Sequence, residues 1–173
     1  KDLWDKLIHC AWNTAEPGII FKDRMDKFAP DGVYPAYRGV STNPCSEIYM
    51  SGNESCRLMA INMLSFVDNA FTKDAKLNTD TVYEVTYEAM RLADDLVDLE
   101  NDAVKRIIEA VKNDKYSVDV WKQILDKGKR GRRVGLEFTA LSDMVAALGK
   151  KFCTEDGNKV VDKVCRLMMS AVL

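Results

Sequence analysis

Three features of the chain predict an α/β fold. Short apolar runs are bounded by turn residues, amphipathic stretches of helical period lie between them, and no segment repeats internally. Leu3, Leu7, Ile8, Ala11 and Trp12 fall on helical spacing over residues 2–13, and Glu16-Pro17-Gly18 ends that helix. Ile19-Ile20-Phe21 reads as a short buried strand, followed by the charged Lys22-Asp23-Arg24. Residues 29–44 hold Pro30, Pro35 and Pro44 with Gly32 and Gly39, which predicts a long ordered loop. Loops of that length in compact domains are commonly functional. Leu58 to Val67 is apolar enough for a buried strand.

A strong helix follows. Thr79 or Asp80 can cap it, Thr81 and Glu84 have capping-box spacing, and Val82, Val85, Ala89, Leu92, Leu96 and Leu99 recur every three or four residues. Residues 102–113 predict a second helix with Val104, Ile107, Ile108 and Val111 on one face, and 117–127 a third. Lys127 to Arg133 is a basic, glycine-containing turn before a strand at Val134-Gly135-Leu136. Leu141 to Leu148 reads as a helix stopped by Gly149, and a last helix runs from about Lys159 to the end.

The 173 residues suffice for one domain with a real core, and 47% hydrophobic with 30% charged residues is ordinary for a globular protein. A formal charge of −2 provides no basic field for nucleic acid. No apolar run approaches the roughly 20 residues needed to cross a bilayer, so no membrane partner is expected. Five widely spaced cysteines without a CxxC, and the single His9, fit neither a disulfide framework nor a structural zinc site. No metal site is expected, and the expected compartment is the reducing cytoplasm. The chain begins and ends inside helical patterns, and is read as a piece of a longer or split polypeptide.

Chemistry concentrates at Asn43-Pro44-Cys45-Ser46-Glu47. In an extended backbone, side chains at i, i+2 and i+4 share a side, so Asn43, Cys45 and Glu47 would converge on one small substrate. A free cysteine is more often a small buried hydrophobe, but burying Asn43 and Glu47 beside it would be costly. Cys56 precedes Arg57, which could favour its thiolate; otherwise Cys56 is a cysteine at the core edge where a strand starts. Cys10, Cys153 and Cys165 read as structural, and His9 as a helix-surface or capping residue. Lys127, Lys129, Arg130, Arg132 and Arg133 could hold phosphate, although a solvated basic turn is the commoner meaning of such a run. Trp4, Trp12 and Trp121 read as core or interface residues. No P-loop, GxGxxG or GxSxG is present.

Asn43-Pro44-Cys45-Ser46-Glu47-Ile48 resembles the finger-loop motif of ribonucleotide reductase large subunits, especially the adenosylcobalamin-dependent class. Ala11-Trp12-Asn13-Thr14-Ala15-Glu16-Pro17-Gly18-Ile19-Ile20-Phe21 is similar to the segment before that loop. Ser55-Cys56-Arg57-Leu58-Met59-Ala60-Ile61-Asn62 resembles the strand that holds one redox cysteine. Arg132 to Leu136, with Leu141-Ser142-Asp143-Met144, resembles a later strand–helix unit. The chain departs where many members carry Gly, at Glu137 and Ala140, and where they carry Asn-Leu-Gly, at Arg57-Leu58-Met59.

The resemblance implies part of a ten-stranded α/β barrel over residues 1–173, with a central finger loop at about 40–50. It implies reduction of ribonucleotides to 2′-deoxyribonucleotides. Cys45 would be the thiyl radical, Glu47 the general base, and Asn43 the group holding a substrate hydroxyl. Ser46 would contribute to substrate binding, and Cys56 would be one of a redox pair whose partner lies upstream of Lys1. The implied cofactor is adenosylcobalamin. The implied partners are a ribonucleotide substrate, nucleotide effectors, a thioredoxin-type reductant, and the missing portions of the enzyme or a complementary fragment. Two alternatives stand beside it: an iron-dependent large subunit that takes its radical from a di-metal partner, and a non-catalytic partner-binding remnant of the same fold. A thiol-redox protein using Cys45 and Cys56 is disfavoured by the lack of CxxC.

Overall fold

The computed structural model describes residues 1–173, residue 31 by its backbone alone, and separates into two units, Lys1–Glu54 and Ser55–Leu173. In the first unit, α1 (Asp2–Thr14) forms where its periodicity predicts. It closes on Ala15 in the left-handed conformation, φ 60°, with the Ala15 N–H bonded to the Ala11 carbonyl. None of its side chains is buried: Leu3, Trp4, Ile8 and Trp12 are all exposed, so the apolar face lies open. Trp4 and Trp12 are therefore not core residues, and Cys10 on the same helix is exposed rather than structural.

The expected strand at Ile19-Ile20-Phe21 does not form. These residues are irregular and exposed, and Phe21 is the N-cap of α2 (Lys22–Phe28). A three-residue run gains backbone hydrogen bonds as a strand only beside a partner, and it has none among the described residues. The proline-rich stretch that follows is organised by two 3₁₀ turns, Pro30–Val33 and Pro35–Tyr37. It leads into a hairpin of β1 (Ser41–Thr42) and β2 (Tyr49–Met50), paired Ser41 to Met50 and Thr42 to Tyr49.

The second unit is built on β3 (Arg57–Asn62) and β6 (Val134–Thr139), which pair in parallel from Arg57 beside Val134 to Asn62 beside Thr139. Parallel neighbours need a crossover connection. Here it runs through a 3₁₀ turn (Met63–Phe66), a short hairpin of β4 (Val67–Asp68) and β5 (Lys76–Leu77), and two helices, α3 (Thr79–Ala110) and α4 (Lys115–Gly131). The apolar run Leu58–Val67 is thus a strand that ends at Asn62, whose side chain accepts from Leu64 N at 3.1 Å and turns the chain. α5 (Leu141–Ala147) and α6 (Glu155–Val172) complete the unit.

The separate helices expected at 81–99 and 102–113 are one continuous helix. Its N-cap is Asn78, whose Oδ1 accepts from Thr81 N at 3.2 Å, in place of Thr79 or Asp80. Its buried face is Val82, Thr86, Ala89, Ala93, Val97, Asn101 and Val104, while Val85, Leu92 and Leu99 of the predicted stripe are exposed. Small residues face inward because α4, α6 and the strand pair all pack closely on α3. At one such approach, a Cβ on Gly128 of α4 would come within 2.7 Å of the buried Asn101 Oδ1. The core joins Ile61, Met63, Phe66, Val82, Met144, Val145 and Val164, with Met59 and Leu136 against it.

α4 is capped by Asp114, whose carboxylate accepts from Tyr116 N at 3.1 Å and Ser117 Oγ at 2.6 Å. α5 ends as predicted at Gly149, φ 68°, where Gly149 N bonds the Ala146 carbonyl and Lys150 N the Val145 carbonyl, the paired bonds of a Schellman stop. α6 starts earlier than expected, after Thr154, whose hydroxyl accepts from Gly157 N. Cys153, in the preceding turn, and Cys165, on α6, are exposed, so neither is a buried structural cysteine. Among the described residues no helix is long and apolar enough to cross a membrane.

Candidate active site

The residues predicted to act lie at the tip of the β1–β2 hairpin. Asn43 N donates to the Ile48 carbonyl at 3.2 Å, and Ile48 N returns a bond to Asn43 Oδ1 at 3.0 Å. Ser46 N donates to the Asn43 carbonyl at 3.0 Å, which closes a β-turn with Asn43 at its first position and Pro44 at its second. Those positions favour these residues: asparagine turns the chain through its own side chain, and proline presets φ. The expected extended geometry is therefore replaced by a turn, and alternation along a strand does not orient these groups. The turn instead brings Asn43, Cys45, Ser46 and Glu47 onto one tip.

Cys45 sits at the apex of this turn and is exposed, as is Glu47. Asn43 is half-buried, because its side-chain oxygen closes the hairpin. Ser46 adopts φ 67°, and its hydroxyl oxygen accepts from Thr42 Oγ1 at 3.4 Å, which ties the tip to β1.

The hairpin base is held by residues outside the motif. The Tyr49 hydroxyl lies 2.6 Å from Asp26 Oδ1 and 2.8 Å from the Gly39 carbonyl, and accepts from Lys22 Nζ at 2.8 Å. Lys22 also donates to both Asp26 oxygens, at 2.9 and 2.8 Å. Hydrogen bonds from Lys22 first, and from Tyr49 second, lower the Asp26 carboxyl to about 2. The same contacts raise the Lys22 ammonium. Of this network only the Lys22–Asp26 spacing, one helical turn apart, is visible in the sequence.

Cys56 belongs to the second unit. It is half-buried just ahead of β3, with its thiol 3.9 Å from the Arg57 carbonyl. The Arg57 guanidinium has partners of its own. It pairs with the Glu100 carboxylate and donates to the Ser55 and Arg133 carbonyls, each at 3.2 Å, so its charge is compensated. Ser55 Oγ adds a bond to Glu100 at 2.9 Å.

Two arginines of the basic run are held in ion pairs. Arg132, left-handed at φ 43°, ends α4 and bonds Asp94 at 2.7 Å and Asp98 at 2.8 Å, while Arg130 pairs with Asp126. These carboxylates raise the Arg132 guanidinium, Asp98 contributing first, and its bond lowers the Asp98 carboxyl. Between α3, β6 and α6 lies an apolar groove of about 320 Å³, lined by Met90, Leu136, Phe138, Cys165 and Met169 among others.

The second unit is an α/β unit, a parallel strand pair bridged by helices, and the first presents a thiol on a hairpin tip between an amide and a carboxylate. The chain belongs to the ribonucleotide reductase barrel-domain family, whose profile matches residues 1–173. It is 28% identical over 164 residues to the vitamin B12-dependent ribonucleoside-diphosphate reductase of Thermoplasma acidophilum, covering 95% of this chain and 18% of that protein. It is 25% identical over 170 residues to the protein of the same name from Mycobacterium tuberculosis H37Rv, covering 98% and 21%. With the vitamin B12-dependent ribonucleotide reductase of Agrobacterium fabrum it shares 26% over 169 residues, covering 97% and 12%. The chain thus spans about a fifth or less of the length of these relatives.

Proposed function

We propose that this chain is part of the catalytic subunit of an adenosylcobalamin-dependent ribonucleotide reductase, with Cys45 as the radical-bearing residue. The observation that carries the reading is the exposed Cys45 at a turn apex, flanked by Asn43 and Glu47, in a chain matched along its whole length by this family. The relatives' shared dependence on vitamin B12 favours this class over an iron-dependent one. All-parallel sheets occur almost only where helices cover both faces, and two strands are fewer than most sheets have. We therefore read β3 and β6 as neighbouring strands of a ten-stranded barrel, and the β1–β2 hairpin as its central finger.

The groove on the second unit does not fit a corrinoid: its lining is apolar and its volume small, whereas a corrin ring is rimmed with amides. The residue of this chain whose chemistry fits the cofactor is Cys45, an open thiol able to give up a hydrogen atom. When bound in the complete enzyme, the cofactor supplies the radical that takes it.

The thiyl at Cys45 then abstracts the substrate 3′-hydrogen, re-forming S–H and leaving the unpaired electron on C3′. Glu47 takes the 3′-hydroxyl proton as general base. Asn43 offers Nδ2 to the hydroxyl or the developing carbonyl oxygen, its Oδ1 being engaged by Ile48 N. Ser46 borders the substrate. The 2′-oxygen leaves as water. Two electrons and two protons come from Cys56 and a second cysteine outside these residues, which close to a disulfide. Glu47 returns the proton to the 3′-oxygen, and Cys45 returns its hydrogen to C3′ and regains the radical. A thioredoxin-type reductant in the cytoplasm reopens the disulfide, and nucleotide effectors act on parts of the enzyme beyond this chain. In the complete enzyme, Cys45→Ser is expected to abolish both turnover and exchange of the substrate 3′-hydrogen; retained exchange would remove Cys45 from the radical role.

A further inference from the structure

We propose that Asp26 and Tyr49 are positioning residues for the Cys45 hairpin, an inference that rests on the radical role given to Cys45 above. The hairpin has only two residue pairs, Ser41 with Met50 and Thr42 with Tyr49, and an isolated two-stranded ribbon is marginal in water. Hydrogen-atom transfer requires the sulfur to be held at near-contact distance from one carbon, so a marginal ribbon needs an external anchor. Tyr49 provides the connection. It is the last paired residue before the tip on the β2 side, and its ring leads away to α2.

The anchor is charge-assisted. The Tyr49 hydroxyl gives its single proton to the Asp26 carboxylate at 2.6 Å and receives one from Lys22 at 2.8 Å. Lys22 and Asp26 are themselves paired, and Arg38 approaches Asp26 at 3.5 Å from the segment entering β1. One carboxylate thus gathers α2, the approach to β1 and the start of β2. Gly39 makes room for it: any Cβ there would overlap the Tyr49 ring. From the ring the constraint passes through the Thr42–Tyr49 pair, and from Thr42 to Ser46 beside Cys45.

The test uses the complete enzyme, well below its melting temperature, with amide hydrogen exchange over Ser41 to Met50 read beside steady-state kinetics. Tyr49→Phe keeps the ring in the space Gly39 leaves and removes only the hydroxyl. It is expected to accelerate hairpin exchange about tenfold, the equivalent of one charged hydrogen bond. It is also expected to lower kcat about tenfold with KM within about twofold. Asp26→Asn, which keeps an acceptor without the charge, should move both readouts less than Asp26→Ala. Tyr116→Phe, at an exposed site on α4, should move neither.

Unchanged hairpin exchange in Tyr49→Phe, or a loss of activity carried by KM alone, overturns the proposal. Cys45→Ser separates the two readings. Should it retain 3′-hydrogen exchange, the radical role and this inference fall together. Should it abolish exchange while Tyr49→Phe turns over at the parent rate, the positioning role alone falls.

Discussion

Arg57 and Glu100 form an ion pair that fastens the first residue of the parallel strand β3 to the middle of the long helix α3. The pair shows how the second unit accommodates a large cation beside Cys56. The arginine side chain is 10% exposed and the glutamate 34%, so it is the guanidinium that has little water to screen it if its partner is removed. Arg57 Nε is nevertheless buried without a hydrogen-bond partner, so the arrangement is incompletely satisfied. Glu100→Ala should therefore cost about 2 kcal/mol, mostly as the penalty of an uncompensated guanidinium. A double-mutant cycle with Arg57→Asn should return a coupling of about 1–2 kcal/mol by urea denaturation. A coupling near zero would mean the two side chains do not need one another.

Ala140 is a second position with a physical consequence. It precedes α5 with φ 55° and ψ 32°, a left-handed conformation in which its Cβ crowds the backbone, and its side chain caps nothing. Glycine adopts this conformation without that crowding. Ala140→Gly should stabilise the protein by about 1 kcal/mol, a rise in melting temperature of about 2–4 °C. A drop in melting temperature would show that the αL strain is outweighed by the added freedom of the unfolded chain.

How far the sequence was legible depends on whether a residue's role is local. The Schellman stop at Gly149 and the helix at residues 2–14 follow from nearby residues and are readable in advance. The buried face of α3 is not, because the helix carries two apolar stripes. Only close packing by α4, α6 and the strands selects the small-residue one, and leaves Leu92 and Leu99 outside. At the candidate site, the residue types of Asn43, Cys45 and Glu47 are legible, but their geometry is not. Pro44 rigidifies an extended loop tip and the second position of a β-turn equally well, and the Asn43–Ile48 and Asn43–Ser46 bonds decide for the turn. The anchor of Tyr49 on Asp26 joins residues far apart in the chain and leaves no periodic trace.

Acid sensitivity follows from carboxyls held below their ordinary range. Asp26 is lowered to about 2 by Lys22 and Tyr49, Asp98 is lowered chiefly by Arg132, and Asp114 by Ser117. In the unfolded chain each returns to about 3.9. A depressed folded-state value means that the unfolded chain binds more protons in the interval between the two. The contribution is therefore complete above about pH 5 and is lost below about 4, for Asp26 as the pH falls towards 2. Melting temperature measured from pH 7 to 2.5 should be insensitive to these three groups down to about pH 5 and fall below about 4. Asp26→Asn should shallow the acid limb and leave the neutral plateau no steeper. An acid limb of unchanged slope in that variant would show that Asp26 is not a principal source of the proton linkage.

Cys56 and Cys45 are assigned different steps, which separates their variants in kinetics. The Cys56 thiol is half-buried at the start of β3, on a different unit from the exposed Cys45. If Cys56 donates electrons after the 2′-oxygen has left, its removal must leave the earlier hydrogen abstraction intact. In the complete enzyme, Cys56→Ser should therefore still exchange the substrate 3′-hydrogen, while deoxyribonucleotide formation falls by at least about a hundredfold, as when a group needed in one step is deleted. Dithiothreitol should not restore it, because a small external thiol lacks the fixed position that makes the internal donor effective. Normal multiple turnover of Cys56→Ser on dithiothreitol would take Cys56 out of the electron-donating pair and return it to its simpler role, a small side chain at the edge of the β3 core.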